Sequence, residues 1–228
     1  MLEATIVKRR PRLTVDAAIH VGAGERVGLF GPSGAGKSTV LSCIAGIERP
    51  DRGAILWNGV NVTEQPVDRR PFGYLTQEAL LFPHLTVAQN VAYGLARAAD
   101  ARARLAAIAD AFGLQDLWDS HPAALSGGQA QRVALARMLA RMPRVVLLDE
   151  PFFGLDRIIV RELIGLLHRW SAEHECAMIV VDHQDQVLRA LCPTVFVMTD
   201  GRVVQRGSWA QIADAPAAPA IEALLKPL

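Results

Sequence analysis

Short runs in which almost every residue is apolar recur along the chain: "RVGLFG" (Arg26–Gly31), "RVVLLDE" (Arg144–Glu150) and "AMIVVDH" (Ala177–His183). Strands buried on both faces read this way, because neither face can carry a solvated side chain. "LTVDAAI" (Leu13–Ile19) reads as a further strand, joined to Arg26–Gly31 through a turn at Gly22-Ala23-Gly24. Arg52–Gly59 predicts a strand ending in an Asn-Gly turn, and Phe72–Gln77 a shorter one. "TVFVMTDGRVVQRG" (Thr194–Gly207) predicts a hairpin around Asp200-Gly201. Helical spacing fills the gaps, in "KSTVLSCIAG" (Lys37–Gly46) and Arg161–Glu173. Strands alternating with helices argue for an α/β fold with a mostly parallel sheet.

From Thr86 to Trp118 the texture changes. "TVAQNVAYGLA" and "ARARLAAIADAFGL" are alanine-rich with helical spacing, which predicts a helical insertion ending near "HPAALSGG". An amphipathic helix over Gln129–Ala140 follows, and the tail "DAPAAPAIEALLKPL" reads as a short, proline-interrupted helix. We therefore expect one domain, with residues 1–85 and 141–228 as the α/β core and about 86–140 as a helical subdomain.

Composition narrows the function classes. The chain has 228 residues, 51% of them hydrophobic, which is enough for a sizeable core and too apolar for a disordered chain. With 24 basic and 23 acidic residues the net charge is +1, so no nucleic-acid partner is expected. The local basic run "KRRPR" (Lys8–Arg12) reads as an exposed edge or turn. Cys43, Cys176 and Cys192 lie far apart and form no CxxC pair, so free thiols are expected rather than a metal site. The N-terminus lacks the apolar segment of a signal peptide. No uncharged apolar run reaches the roughly eighteen residues of a membrane span, although the apolar excess leaves room for docking onto an apolar partner.

Two segments carry chemistry. "GPSGAGKST" fits G-x-x-x-x-G-K-[ST], between a predicted strand and a predicted helix. Gly31, Pro32, Ser33, Gly34, Ala35 and Gly36 form a loop whose backbone N–H groups can turn inward around a phosphate, next to the positive end of the following helix. Lys37 can bridge β- and γ-phosphates, Ser38 can ligate Mg²⁺, and Thr39 completes the segment. "VVLLDEP" places Asp149 and Glu150 at the end of a buried strand, where α/β sheets hold ligands. Asp149 suits Mg²⁺ through water, and Glu150 suits a general base. Gln77 and His183, taken alone, are ordinary polar residues at strand ends. A second glycine-rich stretch, "LSGGQ" (Leu125–Gln129), also opens a helix.

With that stretch, the chain resembles the ATP-binding subunits of ABC transporters over almost its whole length: "LSGGQ" is that superfamily's signature, and it stands between the phosphate loop and "LLDEP". The resemblance implies an ABC-type P-loop NTPase fold with an N-terminal antiparallel β part, ATP and Mg²⁺ as ligands, and ATPase activity coupled to transport. It implies that Gln77 contacts Mg²⁺ and senses the membrane partner, and that His183 contacts the γ-phosphate. It also implies that two copies pair head to tail. Ser126, Gly127, Gly128, Gln129 and Asp156 of one copy would then complete the ATP site of the other, which accounts for two glycine loops in one chain. Three positions depart from the pattern: no aromatic residue precedes Phe30 to stack on adenine, Phe153 replaces a small residue before Asp156, and Ala130 follows the signature. Arg9, Arg10 or Arg12 is the candidate replacement for the aromatic.

The short insertion resembles importers rather than repair ATPases, whose motifs are separated by long coiled coils. Leu80–Val91, "LLFPHLTVAQNV", lies where importers receive a permease; a core-facing turn is the other reading of its apolar residues. These features imply a peripheral subunit on the cytoplasmic face of the membrane, served indirectly by a solute-binding protein. Compact length and "HLTVAQN" with "DGRVVQRG" lean to thiamine as solute, with molybdate beside it. The alternatives are an ABC ATPase that clamps a soluble partner and a phosphate-loop kinase.

Overall fold

Every strand among the described residues joins one sheet. In this computed structural model, which describes residues 1–93, 95, 100–217 and 221–222, the strands are β1 (Leu2–Arg9), β2 (Thr14–Val21), β3 (Arg26–Phe30), β4 (Arg52–Trp57), β5 (Val60–Asn61), β6 (Phe72–Leu75), β7 (Val145–Asp149), β8 (Ala177–Val181), β9 (Thr194–Thr199) and β10 (Arg202–Ser208). The helices are α1 (Lys37–Ala45), α2 (Val87–Ala92), α3 (Ala101–Ala111), α4 (Gly127–Leu139), α5 (Arg157–His174), α6 (Asp185–Leu191) and α7 (Trp209–Asp214). The strand order is β5-β4-β1-β2-β10-β9-β3-β8-β7-β6. Strands β9, β3, β8, β7 and β6 are mutually parallel, while β1 pairs antiparallel with β2 and β4. The parallel core with an N-terminal antiparallel part matches the expected architecture.

The period of two along each central strand divides the core. Val146 and Leu148 of β7 and Met178 and Val180 of β8 face one apolar layer, with α4, α5 and α6. Val145 and Leu147, with Ala177, Ile179 and Val181, face the other, with α1 and the antiparallel strands. Both layers exclude water, which is why these strands read as unbroken apolar runs. The first layer also takes in Val87, Val91, Ile108 and Phe112, so the inserted helices share the core of the sheet.

Parallel order brings the C-terminal ends of β3, β7 and β8 side by side. Asp149 is level with Val181, and Val181 with Leu29. The phosphate loop, the Asp149-Glu150 pair and His183 therefore emerge at the same sheet edge.

Several boundaries differ from the sequence reading. "LEATIVKR" forms a strand that was not anticipated; its apolar residues alternate with polar ones, so it lacks the unbroken run of the central strands. β2 and β3 are joined by the Gly22–Gly24 turn but do not pair with each other. α5 begins four residues before Arg161, because the Asp156 carboxylate accepts from the N–H groups of Ile158 and Ile159 at 2.9 and 3.0 Å and caps it. α4 begins at Gly127 rather than Gln129, through a capping box: Ser126 Oγ accepts from Gln129 N–H at 3.3 Å and Gln129 Oε1 from Ser126 N–H at 2.9 Å. β6 ends at Leu75, before Gln77, and α6 and α7 were not anticipated. The hairpin forms as expected, with Asp200 and Gly201 at φ 48° and 80°, the turn that matches strand twist. The tail helix lies largely outside the described residues. All three cysteines are free and buried, and burial raises the Cys43 and Cys176 thiols to about 11.

Candidate active site

The phosphate loop is shaped by glycines that no other residue could replace in place. Gly36, at φ 97°, caps α1, and a Cβ there would lie 2.6 Å from Val15 Cγ2. At Gly31, φ 153°, a Cβ would lie 2.0 Å from the Met198 carbonyl oxygen. Lys37 folds back across the loop, where Nζ donates to the carbonyls of Gly31 at 2.8 Å and Pro32 at 2.9 Å. Burial lowers the Lys37 pKa, and the nearby Glu150 and Asp149 carboxylates oppose that shift.

Asp149 closes the opposite wall. Its Oδ1 accepts from Ser38 Oγ at 3.0 Å and its Oδ2 from the Tyr74 hydroxyl at 3.1 Å. Burial raises the Asp149 pKa, and the two donated bonds work against the rise. Ser38 and Asp149 supply hard oxygen donors on one spot. Among the described residues no three of His, Cys, Asp and Glu gather into a metal cluster. A hydroxyl plus one carboxylate is the donor set that suits Mg²⁺ held jointly with substrate phosphates.

Glu150 takes a left-handed backbone, φ 49°, which a non-glycine residue adopts at a cost. Its N–H donates to Val181 O at 2.8 Å, so the turn is tied to β8 while the carboxylate stands clear of the sheet. Glu150 Oε2 lies 3.7 Å from His183 Nδ1, beyond direct hydrogen-bond reach. Asp182 is 1% exposed and accepts from Gln184 N–H at 2.8 Å; burial raises its pKa. Phe153, 56% exposed, sets its ring against His183 with centroids 6.2 Å apart.

A cavity of about 520 Å³ joins these groups: Ser33, Gly34, Gly36, Lys37, Ser38 and Thr39 with Glu150 and His183 at one end and the Arg10–Leu13 turn at the other. No Phe, Tyr or Trp lines it. Arg10 is held by Glu48 and Arg9 does not line the cavity, so of the three candidate arginines Arg12 lines it without an ion pair among the described residues. Gln77 is exposed and does not line the cavity. Ser126, Gly127, Gly128, Gln129 and Asp156 do not line it either. They sit together at the starts of α4 and α5, where a Cβ on Gly128 would lie 2.5 Å from Ile159 Cδ1.

Sequence reasoning missed the polar side chains that brace this arrangement. Besides Tyr74, buried Gln131 on α4 donates to Pro151 O at 2.6 Å, tying the signature helix to the turn after Glu150. Arg70, 5% exposed, donates to the carbonyls of Cys43 and Ile44 at the end of α1. Arg137 donates to the carbonyls of Ala79 and Leu80, and buried Asn90 holds the Phe82–Thr86 turn. The one available signal was a polar residue on the apolar stripe of a helix, as at Gln131.

A profile described as ABC transporter matches residues 15–153, from β2 through the turn after Glu150. The chain belongs to the ABC transporter family. This cassette is 42% identical, over 92% of its length, to the sulfate/thiosulfate import ATP-binding proteins CysA of Thermosynechococcus vestitus and of Bordetella parapertussis. It spans 64% and 62% of the length of those relatives. Among solved structures, it superposes at TM-score 0.81 and 28% identity on the ATP-binding cassette MJ0796 in a dimeric post-hydrolysis state bound to ADP and Pi, covering 91% of this chain and 98% of that one. The likeness to cbiO1 from Clostridium perfringens, part of the ABC transporter complex cbiONQ, has TM-score 0.83 at 28% identity and covers 95% of this chain and 91% of that one.

Proposed function

We propose that the chain is the ATP-hydrolysing subunit of an importer and works as a head-to-tail dimer. The observation that carries this is the cavity that brings Lys37 and the phosphate loop together with Glu150 and His183. Loop N–H groups and Lys37 would hold the β- and γ-phosphates. Ser38 and Asp149 would hold Mg²⁺, with Gln77 recruited on closure, and bound Mg²⁺ would neutralise charge developing on the phosphates. Glu150 would accept the proton of the attacking water, with His183 on the γ-phosphate. The signature residues lie outside the cavity, which supports their use by a second copy: Ser126 and the Gly127 and Gly128 amides at the start of α4 form an anion-binding terminus. Gln129 and Asp156 stand beside them. The family match removes the phosphate-loop kinase reading.

A second surface favours a permease partner over a soluble clamp target. A groove of about 550 Å³ runs beside β6 and α4. Ile47, Val67, Leu80, Tyr93 and Met142 line it and are all at least 37% exposed. Clustered exposure of large apolar residues marks an interaction site, and a short helix of a membrane subunit is the occupant we propose, with its apolar side chains on these residues and its polar ones towards Arg137, Arg141 and Arg144. Leu80 and Phe82 belong to this groove, whereas Leu81 packs on the core, so the turn serves both readings given above. Docking there would hold the chain at the cytoplasmic face of a membrane; no described helix is long and apolar enough to cross one. For the solute, the relatives' names favour sulfate or thiosulfate. That likeness spans 92% of the chain, whereas the lean to thiamine, with molybdate beside it, rests on compact length, the missing aromatic and two short segments.

The test is ATPase activity against protein concentration. Specific activity should fall as the protein is diluted below its dimer constant, because each site borrows Ser126 from another copy. Specific activity that stays flat while light scattering reports monomers would refute the shared site. Uptake of labelled sulfate and thiamine in cells with and without the gene separates the solutes.

A further inference from the structure

We propose that Tyr74 is a positioning residue that fixes the metal-facing carboxylate of Asp149 and links it to the occupancy of the groove beside β6. The inference rests on the nucleotide site proposed above. A carboxylate held by one hydrogen bond can still swing about its Cβ–Cγ bond; one held at both oxygens cannot. Ser38, from the helix after the phosphate loop, holds Oδ1 at 3.0 Å, and Tyr74, from the edge strand β6, holds Oδ2 at 3.1 Å. The second bond keeps Oδ1 aimed at the Ser38 side, where the metal and the phosphates meet. Groups that orient a metal-binding carboxylate tune metal affinity.

The same residue lines the groove. A partner that enters the groove meets Tyr74, and a shift of its side chain would alter the bond from its hydroxyl to Asp149. Linkage is reciprocal, so filling the metal site also changes the groove's affinity for its partner.

The composition offers a clean probe. The chain contains two tyrosines, Tyr74 and Tyr93, and both line the groove. Tyr93 is 63% exposed and packs on Phe82, away from Asp149. Full-length protein labelled with 3-fluorotyrosine should show two fluorine resonances, assigned with Tyr74→Phe and Tyr93→Phe. Adding MgCl2 to protein saturated with β,γ-imido-ATP should move the Tyr74 resonance and leave that of Tyr93 in place. In Tyr74→Phe the Mg²⁺ concentration at half-saturation, read with mant-labelled β,γ-imido-ATP, should rise about threefold to tenfold, with nucleotide affinity in EDTA unchanged. Met142→Cys, at the groove mouth, modified with a bulky apolar maleimide, should shift that half-saturation when Tyr74 is present and not in the Tyr74→Phe background. A Tyr74 resonance that ignores Mg²⁺, a half-saturation within threefold of the parent, or a maleimide effect that survives Tyr74→Phe would overturn the inference while leaving the nucleotide site intact. Failure of the parent to bind the nucleotide in EDTA would overturn both.

Discussion

Replacing Glu150 by Gln should separate nucleotide binding from hydrolysis. The side chains are nearly isosteric. The Glu150 carboxylate lies 3.7 Å from His183 Nδ1, beyond hydrogen-bond reach, so no strong hydrogen bond is lost and the turn, held by its backbone N–H to Val181, should persist. The amide can still hydrogen-bond a water but cannot take its proton. General-base loss typically costs about 10²–10⁴ in rate, or roughly 3–5 kcal/mol of barrier. Asp149 and Ser38 remain bonded to each other, so Mg²⁺ binding should survive. Glu150 is also one of the two carboxylates acting on Lys37; removing its charge beside the γ-phosphate lessens repulsion and favours the ATP-bound state. Single-turnover hydrolysis should therefore collapse while size-exclusion chromatography shows a stable dimer with ATP and a monomer with ADP. Turnover near the parent rate would move the base role elsewhere, with His183 the first candidate. Slow hydrolysis without ATP-driven dimers would keep the enzyme and refute the head-to-tail mechanism.

Lys37→Ala should abolish productive ATP binding, because its ammonium is the main side-chain charge over the loop; unchanged affinity by equilibrium binding would remove the assignment. With no aromatic ring in the cavity and Arg12 as the untied cation at its far end, GTP should be hydrolysed within about tenfold of ATP, since a lost stacking contact is worth roughly 1–3 kcal/mol; a thousandfold preference for ATP would mean that another residue reads adenine. Asp182 has a folded pKa raised by burial, so the stability it contributes is present below its ordinary carboxylate pKa and lost as pH rises through the raised value. Asp182→Asn should thus match the parent's melting temperature in strong acid and exceed it near neutrality, by about 2–4 °C for each kcal/mol; a gap that shrinks with rising pH would contradict the burial argument.

The central sheet was legible because its physics is local. Burial on both faces forces apolar residues into β3, β7 and β8 without interruption, and that pattern survives without knowledge of the neighbours. β1 was not legible for the converse reason. "LEATIVKR" is half-buried, and its register with β2 and β4 comes from partners up to Trp57 in sequence. Helix starts were misplaced where a side chain sets them. Asp156 and Ser126 cap their helices by bonding N–H groups two or three residues on, which moves α5 and α4 ahead of their apolar periodicity.

At the site, the groups proposed to meet phosphate stand out in the sequence because backbone geometry demands them. The loop needs glycine at Gly31 and Gly36, since any Cβ there strikes Met198 or Val15. Lys37 and Ser38 must follow at fixed spacing to reach the same point. Nothing comparable constrains the residues that hold the site in place. Tyr74 reaches Asp149 across 75 positions, Arg137 reaches the Ala79 carbonyl across 58 and Arg70 reaches the Cys43 carbonyl across 27. Each is one polar side chain satisfying a distant acceptor, and a backbone carbonyl leaves no residue type to recognise. Their common feature appears only in three dimensions: Tyr74, Arg70 and Arg137 all line the groove, and two of them reach from it to Asp149 or to the end of α1. The link between the groove and the phosphate loop therefore runs through the side chains on which the sequence pattern is silent.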